Sequence, residues 1–224
     1  RHTRYISVTG VQTCALPILT LPSVASLGGG GVCLVYDPKL NRTEMLDFTA
    51  RRPAAGGPVA IPAMARGILA LQAKYGRLRW EQLVGQAETL ARLGHPVSRA
   101  LAADLLAATP ILRANPALAS VFLRADGRPY GEGETLIQRD LGTTLAALRT
   151  RGVGELYGGA LGREFVDSAR GQGAALTLEE LRASEAAWRP SLAITQDDFR
   201  FQFASPPEIG RAPRLNSSHT DISR

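Results

Sequence analysis

Histidine and cysteine, which often carry acid–base, nucleophilic or metal chemistry, are scarce in this chain. Of its two cysteines and three histidines, Cys14, His2 and His219 lie near the ends. Cys33 lies within an apolar run, and His95 lies between two helical patterns. A lone histidine with no cysteine or clustered carboxylates beside it makes neither a metal site nor a catalytic triad. We therefore expect a structural His95, a small buried Cys33, and neither a metal site nor a catalytic triad.

Four consecutive glycines at 28–31, followed by the apolar run 32–36, are the most distinctive local feature. A phosphate-binding loop places its glycines after a strand and before a helix. Here they precede a strand, and no Lys-Ser or Lys-Thr pair follows them, so the order speaks against nucleotide binding. Glycine lacks a Cβ, so the block predicts a close approach of other backbone or a tight turn packed under a sheet.

Both ends of the chain differ in character from its middle. Segment 8–18 (VTGVQTCALPI) resembles the in-frame translation of a sequencing adapter, and segment 208–212 (EIGRA) resembles an adapter in the other orientation. We expect residues 1–18 and 208–224 to be artefactual, with a natural disordered tail as the alternative. These segments hold five arginines against two acidic residues, which lowers the net charge from +6 to +3 for the remainder. The remaining arginines alternate with acidic residues, which does not favour nucleic-acid binding.

The elements that must position any site begin with a β-hairpin. Runs 31–36 and 43–48 are apolar and are joined by a loop containing Pro38 and Asn41, a pattern typical of two paired strands. Both runs alternate poorly and predict buried strands. No apolar run reaches the roughly 18 residues that span a bilayer, so no membrane span is expected.

Helical periodicity dominates the middle of the chain, at 62–76, 80–93, 99–108, 141–150 and 153–172. Ser98 is the expected N-cap of the third of these helices. Thr177 and Glu180 form a capping-box pattern that should start a further short helix. Segment 198–204 alternates phenylalanine with polar residues and predicts a half-exposed strand. Strand, many helices and strand again indicate a layered α/β or α+β body that is rich in helix.

Eight segments of the chain, in this order and at this spacing, resemble the gamma-glutamyltranspeptidases, also called glutathione hydrolases. They are 28–37 (GGGGVCLVYD), 45–48 (MLDF), 74–80 (KYGRLRW), 94–98 (GHPVS), 126–129 (DGRP), 154–159 (GELYGG), 176–181 (LTLEEL) and 205–207 (SPP). Each is weak alone, whereas the series covers about residues 20–207 and is specific.

The resemblance implies an N-terminal-nucleophile hydrolase with a four-layer αββα sandwich, of which residues 19–207 would be the interior of the large subunit. In that family the precursor cleaves itself, and the new N-terminal threonine of the small subunit attacks the gamma-glutamyl amide. That threonine and the small subunit lie outside this chain, so the resemblance implies an inactive fragment of a transferase or hydrolase acting on glutathione-like molecules. It implies no cofactor, and a periplasmic or extracellular location for the parent protein.

One departure from the family pattern concerns substrate binding. The family usually has an arginine directly after the Asp-Phe pair, where it binds the α-carboxylate of the glutamyl donor, but here Thr49 follows Phe48. Arg51 lies two positions later, on the same side of an extended chain, and is the candidate substrate-binding residue. Arg52 should point away. In the competing interpretation, Arg51 and Arg52 are both solvated cations of a loop. We favour this interpretation, because charged residues in loops are commonly exposed.

Two further interpretations stay open at this point. A relative without the usual arginine could cleave another acyl amide, such as a cephalosporin side chain. Alternatively, the chain could be a helical interaction module without catalysis, since an incomplete sandwich leaves large apolar faces exposed.

Overall fold

The computed structural model describes residues 21–197 and 199–205, so the terminal segments expected to be artefactual lie outside the described residues. A three-stranded antiparallel sheet forms around the predicted hairpin. Strands β1 (Gly31–Asp37) and β2 (Arg42–Phe48) pair from Gly31 opposite Phe48 to Asp37 opposite Arg42. Strand β5 (Ala187–Pro190) then pairs with the other edge of β2. The hairpin prediction is confirmed.

Eight helices are present in the described part of the chain, between and beside the strands. They are α1 (Met64–Tyr75), α2 (Trp80–Leu93), α3 (Arg99–Ala114), α4 (Pro116–Phe122), α5 (Arg139–Arg151), α6 (Gly154–Gly158), α7 (Ala160–Gly171) and α8 (Leu178–Ala183). Two short pairs complete the fold: β3 (His95–Pro96) with β4 (Thr135–Leu136), and β6 (Leu192–Gln196) with β7 (Phe199–Phe203).

Local signals set several helix ends where the sequence predicts them. Ser98 caps α3, because its Oγ accepts a hydrogen bond from the Leu101 amide at 3.2 Å. Thr177 and Glu180 form the expected reciprocal capping box at α8. The single helix predicted over 153–172 is instead divided into α6 and α7 by Gly159, whose extended backbone leaves no room for a Cβ beside Glu155.

The main core lies among the helices that follow the sheet. Leu148, Tyr157 and Leu176 are almost fully buried there, in one cluster with the start of α1. Trp80 ties α2 to α5 by donating its indole N–H to the Leu148 carbonyl at 2.8 Å. A second cluster surrounds Leu101. None of the helices in the described ranges is long and apolar enough to cross a membrane.

The two faces of the sheet have different neighbours. The helix face carries Leu46 and Phe48 and packs on α1. The opposite face, called here the distal face, carries Val32, Met45, Asp47 and Arg189. Paired residues share a face, and Val32 pairs with Asp47 while Met45 pairs with Arg189. Strand β2 is buried over its last four residues, 45–48, in agreement with the prediction. The prediction is wrong for β1, whose burial alternates because the described residues cover mainly its helix face.

Candidate functional site

The backbone that follows β2 comes close to the glycine block at the start of β1. A Cβ built on Gly30 would clash with the Phe48 carbonyl oxygen and the Ala50 amide nitrogen. The backbone carbonyl of Gly29 accepts hydrogen bonds from the amides of Ala63 at 2.9 Å and Met64 at 3.0 Å. The missing side chain at Gly30 therefore allows the segment that follows β2 to lie against the start of β1, and Gly29 ties the block to the start of α1.

Asp47 is the centre of the polar cluster on the distal face. Asp47 is only 3% exposed. Oδ1 accepts hydrogen bonds from the Thr49 amide, at 3.1 Å, and from the Thr49 hydroxyl. Oδ2 lies 3.4 Å from Nε of Arg189 on β5. One carboxylate thus joins the end of β2 to the neighbouring strand.

The environment of Asp47 keeps it ionised. Burial opposes ionisation and would raise the pKa of the carboxyl group. The two hydrogen bonds from Thr49 and the positive charges of Arg189 and Arg51 act in the other direction. Together they outweigh burial, so the pKa of Asp47 lies below its ordinary value. The site therefore contains a fixed anion with cations arranged around it.

Arg51, the candidate substrate-binding residue, lies beside this cluster. Its backbone pairs with Ile61, with the Arg51 amide donating at 3.3 Å and the Ile61 amide at 2.7 Å. Its side chain is exposed, and its charge reaches Asp47. No carboxylate in residues 21–197 and 199–205 forms an ion pair with Arg51 or Arg52. A role for Arg51 in substrate binding stays a prediction.

Arg189 is the member of the cluster that the sequence did not indicate. It lies far from Asp47 along the chain, and the pairing of β5 with β2 brings it opposite Met45. Residues on one face of neighbouring strands that are offset by two positions lie within reach of a long side chain. No local motif marks Arg189, so only the strand register could have identified it.

The cysteine and histidine predicted to be structural lie elsewhere. His95 is 4% exposed, and its Nδ1 lies 3.2 Å from the Pro96 carbonyl oxygen. Cys33 packs on the helix face with the cluster around Leu46. Among the residues that the structure describes, no group of three or more His, Cys, Asp or Glu residues could hold a metal ion. Cys14, His2 and His219 lie outside the described residues.

A second charged cluster fastens α1 to the helix face. Glu44 on β2 lies 2.5 Å from the Lys74 ammonium and accepts a hydrogen bond from Tyr75 at 2.8 Å. Burial, followed by the contact with Glu44, raises the pKa of Tyr75 to about 12. The Lys74 ammonium also lies 4.2 Å from the ring centroid of Trp188. All these partners are occupied with one another, which is typical of a structural cluster.

An open groove of about 370 Å³ lies at the start of β2, and Arg189 is one of its lining residues. It is lined by Asn41, Arg42, Thr43, Glu44, Trp188, Arg189, Pro190, Ser191, Arg200 and Gln202. Arg189 therefore pairs with the buried carboxylate of Asp47 while its own side chain is 43% exposed.

Comparisons with known proteins bear on both the sequence and the fold. The family model for gamma-glutamyltranspeptidase matches residues 11–215. The glutathione hydrolase proenzyme of Bacillus subtilis (strain 168) is 29% identical over 214 residues, which cover 86% of this chain and 36% of that protein. The chain thus spans little more than a third of the length of this curated relative.

Two solved structures show the same fold. The gamma-glutamyltranspeptidase of Helicobacter pylori matches with a TM-score of 0.84 and 22% identity, over 91% of this chain and 64% of that chain. The cephalosporin acylase of Bacillus halodurans matches with a TM-score of 0.77 and 20% identity, over 87% and 40%. The expected N-terminal-nucleophile hydrolase fold is confirmed. Because the family model covers nearly the whole sequence, this chain belongs to the gamma-glutamyltranspeptidase family.

Proposed function

We propose that this chain is part of the large subunit of an enzyme that hydrolyses or transfers gamma-glutamyl groups. The observation that carries this proposal is the family match over residues 11–215. The B. subtilis relative, whose name is glutathione hydrolase proenzyme, is matched over only 36% of its length. In the proposal, the rest of the precursor supplies the small subunit as partner, and glutathione-like molecules are the substrates.

The proposed reaction is acyl transfer through a threonine outside this chain. The hydroxyl of that threonine attacks the gamma-glutamyl amide, and its own α-amine takes the hydroxyl proton. The protonated α-amine then passes this proton to the nitrogen of the leaving amine, which departs as the tetrahedral intermediate collapses to the ester. Water or an amino acid then attacks the resulting ester and releases the threonine. A threonine hydroxyl is a weak nucleophile at neutral pH, so the adjacent amine and an oxyanion hole must supply the activation.

The contribution of the described residues is to bind and orient the donor. The fixed Asp47 carboxylate, with Arg51 and Arg189 near it, forms a polar site on a face of the sheet that otherwise carries apolar side chains such as Val32 and Leu34. A positive site of this kind suits a substrate with a free carboxylate. In this proposal the 224-residue chain alone is inactive.

The test begins with the reading frame downstream of Pro207. We expect an in-frame threonine at a self-cleavage site, two subunits after expression of the complete gene, and release of p-nitroaniline from gamma-glutamyl-p-nitroanilide. Replacement of that threonine by alanine should abolish both cleavage and turnover, and the 224-residue chain alone should show no turnover. A complete gene without such a threonine, or a processed protein without turnover, would refute the proposal.

A second candidate is an acylase of the same fold with a different amide substrate. Thr49 favours it, because the family's usual arginine is absent from that position, and the cephalosporin acylase of B. halodurans shares the fold. To distinguish the two candidate functions, kcat/KM of the complete enzyme is measured for a gamma-glutamyl donor and for a cephalosporin with an amide-linked side chain. Higher values for the cephalosporin would favour the acylase.

A further inference from the structure

Arg189 carries hydrogen-bonding capacity that the described structure does not use. Its Nε lies 3.4 Å from Asp47 Oδ2, which is an ion-pair distance, but this contact is not a hydrogen bond. Within residues 21–197 and 199–205, none of the guanidinium N–H groups of Arg189 donates a hydrogen bond. A guanidinium offers five donors in a planar fork. Arg189 is therefore held in place by charge while its donors stay available.

The charges around Asp47 do not balance. Asp47 is ionised, whereas two cations, Arg189 and Arg51, act on it. Among Asp47, Arg189 and Arg51 alone, one positive charge is in excess. One additional carboxylate would neutralise it, and the planar fork of an arginine matches a carboxylate through two parallel hydrogen bonds.

A ligand can reach Arg189 without unfolding the sheet. Its side chain is 43% exposed, whereas that of Asp47 is 4% exposed. The groove of about 370 Å³ passes along Arg189, and it also exposes Ser191 and Gln202. The guanidinium is thus anchored by a buried carboxylate while part of the Arg189 side chain stays open to solvent.

Thr49 gives the anchor its orientation. Its hydroxyl and amide both bond to Oδ1 of Asp47, which leaves Oδ2 facing Arg189. The residue that stands where the family has an arginine therefore helps to position a different arginine, which comes from β5.

We propose that Arg189, with Arg51 beside it, binds a carboxylate of the substrate, and that Asp47 and Thr49 are positioning residues for Arg189. This inference rests on the proposed function and names the residues that take over the carboxylate from the missing arginine at position 49. Arg189 is a specificity-determining residue in this assignment, since it selects donors that carry a free carboxylate beside the acyl chain.

The test uses the complete processed enzyme and two donors that differ in one group. Gamma-glutamyl-p-nitroanilide carries the free α-carboxylate, and its α-carboxamide analogue has the same leaving group without the charge. In Arg189→Met we expect KM for the carboxylate donor to rise by about 10- to 100-fold, the range that follows from losing hydrogen bonds to a charged group. KM for the carboxamide donor should change by less than about threefold.

Two further variants separate binding from folding. Arg189→Lys keeps the charge next to Asp47 but lacks the fork, so it should fold like the wild type and still lose preference for the carboxylate donor. Arg99→Met is the matched control, because Arg99 is highly exposed on α3 and pairs with the exposed Glu132. Equal changes for both donors in Arg189→Met, or an unchanged preference in both Arg189 variants, would overturn the inference.

A binding measurement keeps the inference testable if gamma-glutamyl donors are not turned over. In that case the proposed function fails, and calorimetric titration of the complete protein with L-glutamate tests the carboxylate site alone. Binding that is lost in Arg189→Met and kept in Arg99→Met would support the site. Absence of binding to the wild type, or equal binding to Arg189→Met, would overturn it.

Discussion

Asp47 shows how a buried carboxylate stays charged. A buried ion without partners would cost several kcal/mol, enough to neutralise it instead. Here Thr49 supplies two hydrogen bonds and two arginines supply positive charge, so the pKa of Asp47 is lowered although burial raises it. Thr49 is thus more than a lost arginine, because its hydroxyl is part of what stabilises the anion.

The lowered pKa of Asp47 sets a pH dependence of stability. As the pH falls, the unfolded chain takes up this proton before the folded chain does. The stabilisation is complete above the ordinary carboxyl pKa of about 4 and is lost as the pH falls through the lower folded-state value. We expect urea denaturation to show this loss in the wild type and a smaller loss in Asp47→Asn.

At neutral pH, Asp47→Asn should already be less stable by about 1–3 kcal/mol, because the ion pair and the charge-assisted hydrogen bonds are gone. Asp167→Asn, on an exposed site of α7, is the matched control and should keep the wild-type profile. Parallel pH profiles for wild type and Asp47→Asn would show that Asp47 titrates normally in the folded chain.

The glycines at 28–31 differ sharply in the room that each has for a side chain. A methyl group on Gly30 meets backbone atoms of Phe48 and Ala50, which cannot move aside without shifting the strand, whereas Gly28 has only the Ser26 hydroxyl oxygen at 3.9 Å. Gly30→Ala should therefore destabilise the chain by about 1–3 kcal/mol through overpacking, and Gly28→Ala should be tolerated. Thermal denaturation of both variants compares them, and equal melting temperatures would contradict this account.

At the scale of elements, the capping box of α8 gives a prediction with an internal control. Thr177 accepts a hydrogen bond from the Glu180 amide at 3.1 Å, so Thr177→Ala should cost about 1 kcal/mol. Thr89 lies inside α2 and its hydroxyl only donates back to the Gly85 carbonyl. Thr89→Ala should be neutral or stabilising, because alanine has the higher helix propensity. Urea denaturation distinguishes the two, and a neutral Thr177→Ala would exclude a stabilising cap.

Elements with a local signal could be predicted from the sequence. The hairpin, the Ser98 cap and the capping box at Thr177 each depend on a few neighbouring residues, and all three are present. The interruption at Gly159 was missed because the helical pattern continues across it in the sequence. The extended backbone of Gly159 ends one helix and starts the next, and it brings this glycine so close to Glu155 that a Cβ would not fit, which is a property of the folded chain.

The candidate site could be predicted only in part, for the same reason. The segment Asp47 to Arg51 was identified because its departure from the family pattern is local. Arg189 depends on the pairing of β5 with β2, a long-range contact that no sequence period encodes. The groove beside Arg189 likewise comes from the packing of several strands.

At the scale of the whole molecule, one surface indicates how the chain behaves alone. One face of the β6–β7 hairpin is apolar and exposed over five residues, Leu192, Ile194, Phe199, Phe201 and Phe203. Contiguous apolar patches of this kind mark interaction sites or cause aggregation. We expect the 224-residue chain to self-associate through this face.

Light scattering coupled to size-exclusion chromatography tests that expectation. The double variant Phe199→Ser with Phe201→Ser should reduce self-association. Leu93→Ser, which removes a singly exposed leucine at the end of α2, should leave it unchanged. A monomeric wild-type chain that melts cooperatively would contradict the expectation and would favour the non-catalytic interaction module.

The pairing of β5 with β2 also has a consequence for the order of events during synthesis. The β1–β2 hairpin is complete at Phe48, but the arginine that forms an ion pair with Asp47 is on a strand that follows about 140 residues later. At about 5–20 residues per second, the ribosome takes several seconds or more to produce it. We expect the Asp47 carboxylate to stay hydrated through that interval. Its burial therefore follows the synthesis of the helical segment between the two strands.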